Sequence, residues 1–189
     1  MSGALAYKGE YEAYEVINGE VYMMARPSVN HWRISNNVIR SFERRLQGKK
    51  CEAFGEVDVH LSDKDQFIPD AMIVCNPDIV KEDGIHGAPD LVVEILSPST
   101  ARNDRTVKLL TYAKHGVKEY WIVDPLNRTV EVYHLLEGKY ELDTFCVDYR
   151  ERDWARLTDK EKAETQKEIK VSLYDDFIVD VAEVFRGVD

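Results

Sequence analysis

The chain has 189 residues, of which 32% are charged and 44% are hydrophobic, and its formal net charge is −10. The composition is typical of a globular protein, and the length suits one domain spanning residues 1–189 that buries about 70% of its unfolded surface. The acidic balance argues against attachment to nucleic acid by general phosphate neutralisation, since proteins that bind in this way are normally basic. Any nucleic-acid binding would need a local basic surface, bound cations or a partner.

The sequence also indicates where in the cell the protein is expected. It has no stretch of about 18 apolar residues, so no membrane-spanning helix is expected. The N-terminal segment MSGALAYKGEYEAYE lacks the basic-then-apolar pattern of a signal peptide. The three cysteines, Cys51, Cys75 and Cys146, are widely scattered and lack the paired spacing of metal ligands. This pattern favours a cytoplasmic protein with reduced cysteines.

The N-terminal part of the chain predicts a β-hairpin followed by an amphipathic helix. The hairpin strands Tyr14–Ile17 and Val21–Met24 flank Asn18-Gly19, a strong two-residue turn signal. A helix is expected over Val29–Gln47, because apolar residues repeat there at four-residue spacing. His31 projects towards the apolar side of this helix, so it is either a hydrogen-bonded core or cap residue or part of an active site.

The predicted helix ends in basic residues, which are Arg40, Arg44, Arg45, Lys49 and Lys50. Positive charge near a helix C-terminus is favourable on its own, and this is the preferred interpretation. A nucleic-acid contact is the alternative.

A second hairpin is expected to pair Cys51–Leu61 with Phe67–Cys75 across a polar loop. Apolar and polar residues alternate in its first strand, so one face of that strand is buried. Asp70 is the only charge in its second strand, FIPDAMIVC, where a hydrophobic residue would cost less free energy. A register that sets Leu61 against the first residue of the second strand places Asp58 opposite Asp70.

The segment Gly87–Pro125 predicts a strand (Leu91–Ser97), a helix (about Ala101–His115) and a second strand (Glu119–Asp124). Two strands joined by a helical crossover are expected to be parallel and adjacent, with the helix packed on one face of the sheet. Glu94 interrupts the otherwise apolar first strand. A carboxylate there costs free energy unless positive charge lies beside it.

Lys108 is the expected partner of Glu94. Lys108 lies about 12 Å along the helix from its N-terminal cap, and Glu94 lies about 10 Å back from the end of the strand. The two side chains therefore come level if the helix covers the face that Glu94 occupies. Asp104, Lys108 and Tyr112 share one stripe of this helix at four-residue spacing.

The C-terminal part predicts a third hairpin from Arg128–Leu136 and Lys139–Val147. The heavily charged segment Tyr149–Lys170 is typical of a solvated helix or excursion. A short amphipathic segment, Phe177–Phe185, closes the chain. The elements together predict an α+β protein with an α/β core.

Two isolated acids on strands, Asp70 and Glu94, and one lysine brought level with them suggest metal-assisted phosphodiester hydrolysis. Mg²⁺ prefers oxygen ligands and commonly uses one or two carboxylates. The metal lowers the pKa of bound water, and a lysine ammonium can orient that water or stabilise the transition state. A purely structural role for the buried acids, in ion pairs, is an equally open alternative.

The sequence resembles the Uma-type endonuclease family, whose members resemble the PD-(D/E)XK nuclease superfamily of many restriction enzymes. The resemblance is carried by FIPDAMIV, APDLVVEILSPST, Asp104 with Lys108 and Tyr112, GVKEYWIVDP, YEVINGEVYMM, the helix beginning near His31, and LYDDFIVDVAEVF. It implies a restriction-endonuclease-like mixed sheet flanked by helices, with N-terminal and C-terminal β-hairpins.

The resemblance also implies roles for individual residues. Asp70 corresponds to the acid of the PD motif and Glu94 to the (D/E) acid, and both would bind Mg²⁺ or Mn²⁺. The superfamily pattern places a lysine two residues after the second acid, where this chain has Leu96. Lys108 fits as its replacement. Asp90 also follows a proline, so it is a rival for the first acid.

The expected function is therefore a metal-dependent endonuclease acting on DNA, and a homodimer would place two symmetric sites on the two strands. Tyr112 would either order Lys108 or the attacking water, or pack against the sheet. His31, Asp58 and Asp90 are further candidates around the site. The alternatives are a non-catalytic nucleic-acid- or protein-binding domain that retains the fold, and a structural cluster of ion pairs in an oligomer.

Overall fold

Residues 13–188, the part of the chain that the computed structural model describes, form two six-stranded sheets, a two-stranded sheet and six α-helical segments. The N-terminal segment that lacks a signal-peptide pattern lies largely outside these residues. Within them, no helix has the length and apolar character needed to cross a bilayer.

The strands and helices are numbered along the chain. The strands are β1 (Tyr14–Ile17), β2 (Glu20–Met23), β3 (Glu52–Phe54), β4 (Val59–Ser62), β5 (Asp65–Phe67), β6 (Ala71–Val74), β7 (Val80–Lys81), β8 (Gly84–His86), β9 (Leu91–Ile95), β10 (Glu119–Asp124), β11 (Thr129–Leu136), β12 (Lys139–Val147), β13 (Glu168–Lys170) and β14 (Ile178–Asp180). The helices are α1 (Val29–Leu46), α2 (Ala101–Asn103), α3 (Leu109–His115), α4 (Glu151–Trp154), α5 (Asp159–Glu164) and α6 (Val181–Val184). A π-helical turn, Asp104–Lys108, joins α2 to α3, and the three pieces together are called the crossover helix.

The main sheet has the strand order β12-β11-β10-β9-β6-β3. Helix α1 covers one face, where Phe42 packs edge-on against Trp121 of β10 with ring centroids 5.4 Å apart. The crossover helix covers the other face, where Tyr112 joins Val92 and Ile122 in a second core. The fold is therefore α+β, with a mixed sheet flanked by helices, as the sequence predicts.

The predicted strand–helix–strand unit is confirmed. Strands β9 and β10 are adjacent and parallel, with Ile122 opposite Glu94. The crossover helix ends at Gly116, whose φ of +83° places it in the left-handed region that glycine adopts readily. The other neighbouring pairs of the main sheet are antiparallel.

The first hairpin and helix are also confirmed. Strands β1 and β2 pair around the Asn18-Gly19 turn, with Val16 opposite Val21. The Ser28 side chain caps α1 by accepting a hydrogen bond from the backbone N–H of His31, 3.2 Å away. The buried face of α1 carries the predicted apolar stripe, which is Ile34, Val38, Phe42 and Leu46.

The second predicted hairpin is only partly correct, because it divides between two sheets. Its outer parts pair as β3 and β6 in the main sheet. Its tip, β4 and β5, joins a peripheral sheet with the order β2-β1-β5-β4-β8-β7. The chain bends where Glu56 adopts a φ of +51° and where Pro69 has no N–H to donate.

The observed register of this hairpin is not the one that would set Asp58 opposite Asp70. Val59, not Leu61, lies opposite Phe67. Asp58 therefore does not lie opposite Asp70. The loop at the tip is the reason: Ser62 pairs with Asp65 across only two residues, and the register shifts between His60 and Ser62.

The expectation of three reduced cysteines is wrong for two of them, because Cys51 and Cys75 form a disulfide. Glu52 lies opposite Val74 in the antiparallel β3–β6 pair, so the next position outwards sets Cys51 opposite Cys75. Their separation of 24 positions concealed this relationship in the sequence. Cys146 is buried and unpaired.

The C-terminal part contains the predicted third hairpin as β11 and β12. The charged segment Tyr149–Lys170 forms two short helices, α4 and α5, and ends in β13, which pairs with β14. Helix α6 packs on α1, where Glu183 pairs with Arg44 at 2.6 Å and Arg45 at 3.1 Å. Arg44 and Arg45 therefore form ion pairs within the protein.

Candidate active site

The ammonium group of Lys108 lies at the centre of the site, buried between three carboxylates. Its Nζ is 2.7 Å from Glu15 Oε1, 3.1 Å from Glu94 Oε1 and 3.4 Å from Asp104 Oδ1. Burial disfavours the charged form of Lys108, but the three carboxylates outweigh that effect and raise its pKa. Lys108 therefore remains protonated at neutral pH. It can supply positive charge but cannot act as a general base.

The crossover helix presents Lys108 through a π-helical turn. The sequence predicts a regular helix over Ala101–His115, whereas the structure inserts the π turn at Asp104–Lys108. Such turns are rare and occur frequently at functional sites. The Tyr120 hydroxyl donates to the Asp104 carbonyl oxygen at 3.0 Å, which ties this turn to β10.

Glu94 lies on β9 directly beneath this helix. The Tyr112 hydroxyl donates a hydrogen bond to Glu94 Oε1 at 2.7 Å. The Tyr112 ring packs between Phe67 and Tyr120, with centroids 5.0 and 5.3 Å away. Tyr112 thus both packs against the sheet and orients Glu94. Burial raises the pKa of Glu94 well above its ordinary value, since the opposing charge of Lys108 is offset by the neighbouring carboxylates.

Asp70 comes immediately before β6 and faces the end of β9. The β6–β9 ladder sets Ala71 opposite Val93, so its continuation by one residue sets Asp70 opposite Glu94. Residues in such positions have Cβ atoms about 4.5–5.5 Å apart on one face of the sheet. Asp70 Oδ2 also accepts a hydrogen bond from the backbone N–H of Ile95 at 2.6 Å. Two acids from two strands therefore meet at this end of the main sheet.

Helix α1 approaches Asp70 through His31 and Ser35. His31 Nε2 lies 3.4 Å from Asp70 Oδ1 and 3.1 Å from the carbonyl oxygen of Ile95. The Ser35 hydroxyl donates to the Asp70 carbonyl oxygen at 2.8 Å. Burial lowers the pKa of His31, but Asp70 and the Ile95 carbonyl reverse that effect and leave it raised. The structure thus places His31 beside Asp70, at the edge of the site.

Glu15, on β1, is a site residue that the sequence analysis missed. Its Oε1 accepts hydrogen bonds from Lys108 Nζ at 2.7 Å and from the backbone N–H of Ile68 at 3.1 Å. The N-terminal hairpin reaches the site because β1 pairs with β5, with Val16 opposite Gln66. No local pattern in the strand YEVI indicates this contact, which depends entirely on the packing of the peripheral sheet.

Two predicted acids lie elsewhere. Asp90 accepts a hydrogen bond from the Cys75 backbone N–H at 2.8 Å and pairs with Lys118 at 2.8 Å, beyond the opposite end of β9 from Glu94. Asp58 accepts from Gln66 Nε2 at 2.6 Å in the peripheral sheet. Within residues 13–188, neither acid forms an ion pair with the site lysine.

The oxygen atoms at the strand ends fit a hard divalent cation. Asp70 and Glu94 supply carboxylate oxygens on facing strands. The carbonyl oxygen of Ile95 is a further oxygen at this strand end, and His31 Nε2 contacts both it and Asp70 Oδ1. Mg²⁺ and Mn²⁺ favour such oxygen ligands. The chemistry of the donor set therefore agrees with the metal that the sequence resemblance implies.

The charges around Lys108 also favour a divalent cation at this site. The buried carboxylates of Glu15, Glu94 and Asp104 surround a single lysine ammonium. Both Asp104 carboxylate oxygens are buried and accept no hydrogen bond from the described residues, although Lys108 Nζ lies 3.4 Å from Oδ1. Burial raises the pKa of Asp104. A divalent ion held by Asp70 and Glu94 would offset this surplus of negative charge.

The chain is similar to two curated proteins from one cyanobacterium. The protein named "Uncharacterized protein slr1290" of Synechocystis is 30% identical over 181 residues, which is 94% of this chain and 85% of that protein. A second Synechocystis protein, "Uncharacterized protein sll1609", is 27% identical over 127 residues, or 65% of this chain and 72% of that one.

The fold is shared with a crystal structure described as "a putative nuclease belonging to DUF820" from Anabaena variabilis. The TM-score is 0.70 at 22% identity, over 96% of this chain and 94% of that one. The profile of the Uma2 family, described as "Putative restriction endonuclease", matches residues 4–160. Because this match spans most of the sequence, the chain belongs to the Uma2 family.

Proposed function

We propose that the protein is a divalent-metal-dependent endonuclease that hydrolyses phosphodiester bonds of DNA. The observation that carries this proposal is the position of Lys108 Nζ, 3.1 Å from Glu94 Oε1, at the strand end where Asp70 faces Glu94. Two acids and a permanently charged lysine at one point suit hydrolysis of an anionic phosphodiester. The nuclease-like family and fold support the same reaction class.

Asp70 and Glu94 are the proposed metal ligands, with the Ile95 carbonyl as a further oxygen. A bound Mg²⁺ or Mn²⁺ ion lowers the pKa of a coordinated water and neutralises charge on the phosphate. Tyr112 keeps Glu94 in one orientation through its 2.7 Å hydrogen bond. His31 does the same for Asp70 from the opposite face of the sheet.

Lys108 is proposed to stabilise the negative charge that develops on the phosphoryl oxygens. Glu15 and Asp104 hold its ammonium in place from two sides. An ammonium has three N–H donors, and three carboxylates surround this one. A substrate oxygen therefore has to displace one of these acceptors, so substrate binding and rearrangement of the lysine contacts are coupled.

The acidic charge of the chain shapes how DNA would bind. With a net charge of −10, the protein gains little from general attraction to phosphates. We therefore expect weak DNA binding that depends on the divalent ion or on a local basic surface. A homodimer is the proposed cutting unit, because two symmetric sites are the simplest way to cut both strands of a duplex.

A non-catalytic binding domain is the second candidate. It is favoured by the depth of the site, since Glu94 is 3% exposed and Lys108 only 2% exposed. It is also favoured by Leu96, which occupies the position of the usual superfamily lysine. Such a protein would bind a nucleic acid or protein partner without turnover.

A cleavage assay separates these candidates. Supercoiled plasmid DNA and labelled single-stranded RNA are incubated with the protein in Mg²⁺, in Mn²⁺ or in EDTA. The proposal expects the wild type to nick or linearise the plasmid with either ion and to be inactive in EDTA. Asp70→Asn and Glu94→Gln should abolish cleavage. Asp90→Asn is the matched control and should retain it, because Asp90 lies outside the site.

Three outcomes contradict the proposal. Absence of wild-type cleavage in both ions, together with a mobility shift on DNA, indicates the binding domain. Loss of activity in Asp90→Asn but not in Asp70→Asn would show that Asp90, and not Asp70, is the acid of the PD motif. Cleavage of RNA alone would replace DNA as the substrate.

A further inference from the structure

A second cluster of ligating side chains lies on the peripheral sheet. His60 of β4 and His86 of β8 are directly opposite in a parallel pair, and their ring centroids are 4.6 Å apart. Asp83 lies in the turn between β7 and β8, with its Oδ1 3.0 Å from His86 Nε2. One ligand atom from each of the three residues lies within 4.8 Å of the other two.

This cluster differs from the candidate active site in both place and chemistry. In the described part of the chain, none of its three side chains forms a hydrogen bond or ion pair with Lys108, Glu94 or Asp70. No other group of three His, Cys, Asp or Glu residues among the described ones brings its ligand atoms as close together. The active site offers oxygen atoms, whereas this cluster offers two imidazole nitrogens and one carboxylate.

We propose that His60, Asp83 and His86 bind a first-row transition-metal ion of the Zn²⁺ class. Imidazole nitrogen suits Zn²⁺, Co²⁺ and Ni²⁺, and it is a poor ligand for Mg²⁺. Zn²⁺ binds nitrogen and carboxylate oxygen at about 2.0–2.2 Å, so its tetrahedral ligands are about 3.3 Å apart. His86 and Asp83 are exposed, so small rotations of these two side chains close the remaining gap.

Backbone contacts fix the β7–β8 turn against the segment that precedes β4. The Ile85 N–H donates to the Asp58 carbonyl oxygen at 2.8 Å. Gly84 has a φ of +141°, and a Cβ there would lie 2.5 Å from the same oxygen. The turn that carries Asp83 is therefore packed directly on the chain that leads into β4. An ion at this site would tie the β7–β8 hairpin to β4, independently of the proposed nuclease.

Isothermal titration with Zn²⁺ in the presence of excess Mg²⁺ tests the site. The wild type should bind one Zn²⁺ ion that Mg²⁺ does not displace. His60→Gln and His86→Gln should each weaken binding more than about tenfold, because even loss of a group that merely orients a ligand costs about 10- to 100-fold. His115→Gln and Glu94→Gln are the matched controls, and both should bind as the wild type does.

Visible absorption of Co²⁺ in the same proteins supplies a second measurement, because the absorption reports nitrogen ligands and a low coordination number. Wild type should develop the absorption and His86→Gln should not. Equal Zn²⁺ affinity in wild type and both histidine variants would overturn the proposal. Loss of Zn²⁺ binding in Glu94→Gln alone would also overturn it, by placing the ion in the active site.

Discussion

Glu15 and Lys108 are separated by 93 positions in the chain, yet Lys108 Nζ donates a 2.7 Å hydrogen bond to Glu15 Oε1. Both side chains are buried. The contact joins the N-terminal hairpin to the crossover helix at the centre of the candidate active site. The hairpin therefore completes the environment of the lysine on which the proposed chemistry depends.

Replacing Glu15 by glutamine tests this contact with little change in shape. The expected loss is about 1.5–3 kcal/mol in the free energy of unfolding, which is typical of a hydrogen bond to a charged group. The measurement is urea unfolding at neutral pH. Glu20→Gln, an exposed acid on the same hairpin, is the control and should change stability little. Equal unfolding free energies for the two variants would show that the contact is energetically unimportant.

Lys108→Met should affect both stability and cleavage. Removing the ammonium leaves several buried carboxylates without a counter-charge, which costs about 3–5 kcal/mol when a buried pair is broken. Lys118→Met removes an exposed lysine whose side chain pairs with Asp90, and should cost about 0–1 kcal/mol. Unfolding and plasmid cleavage are measured on both variants. Full cleavage by folded Lys108→Met would remove Lys108 from the mechanism.

The His134–Glu119 contact predicts a pH dependence of stability. His134 Nε2 lies 3.7 Å from the buried carboxylate of Glu119, which raises the pKa of His134 above its ordinary value of about 6.5. The protonated histidine therefore stabilises the fold. That contribution is complete below about pH 6.5 and is lost as the pH rises through the raised folded-state pKa.

Unfolding free energies across this range test the prediction. The difference between wild type and His134→Gln should be largest at mildly acidic pH and should shrink at alkaline pH. Other titrating groups cancel in this difference. A constant difference across the range would show that His134 titrates with the same pKa in the folded and unfolded states.

The Cys51–Cys75 disulfide predicts a redox dependence of stability. The double variant Cys51→Ser/Cys75→Ser should lose about 2–4 kcal/mol relative to the oxidised wild type, as expected when a disulfide no longer restricts the unfolded chain. Addition of a thiol reductant should lower the unfolding free energy of the wild type to that of the variant. The unfolding free energy of the variant should not change. Insensitivity of the wild type to the reductant would contradict the pairing.

The parts of the fold that the sequence predicts well are those that local patterns determine. The Asn18-Gly19 turn and the apolar stripe of α1 identify their elements directly. The position of Lys108 above Glu94 follows from the rise per residue of a helix and of a strand, because a short turn connects β9 to the crossover helix.

The parts that were missed depend on contacts between distant segments. The second hairpin bends at Glu56 and Pro69 and enters two sheets, which no alternation of apolar residues indicates. The pairing of Cys51 with Cys75 follows from the β3–β6 register, and the approach of Glu15 depends on the β1–β5 pairing. Both features require the assembled sheets.

Isothermal titration with Mg²⁺ tests the central claim most directly, namely that Asp70 and Glu94 act together as ligands of one ion. The account predicts one Mg²⁺ ion per wild-type chain and a loss of more than about tenfold in affinity for both Asp70→Asn and Glu94→Gln. Lys108→Met should bind the ion at least as tightly as the wild type, since a competing positive charge is removed. Unchanged binding heats in both acid variants would contradict the account.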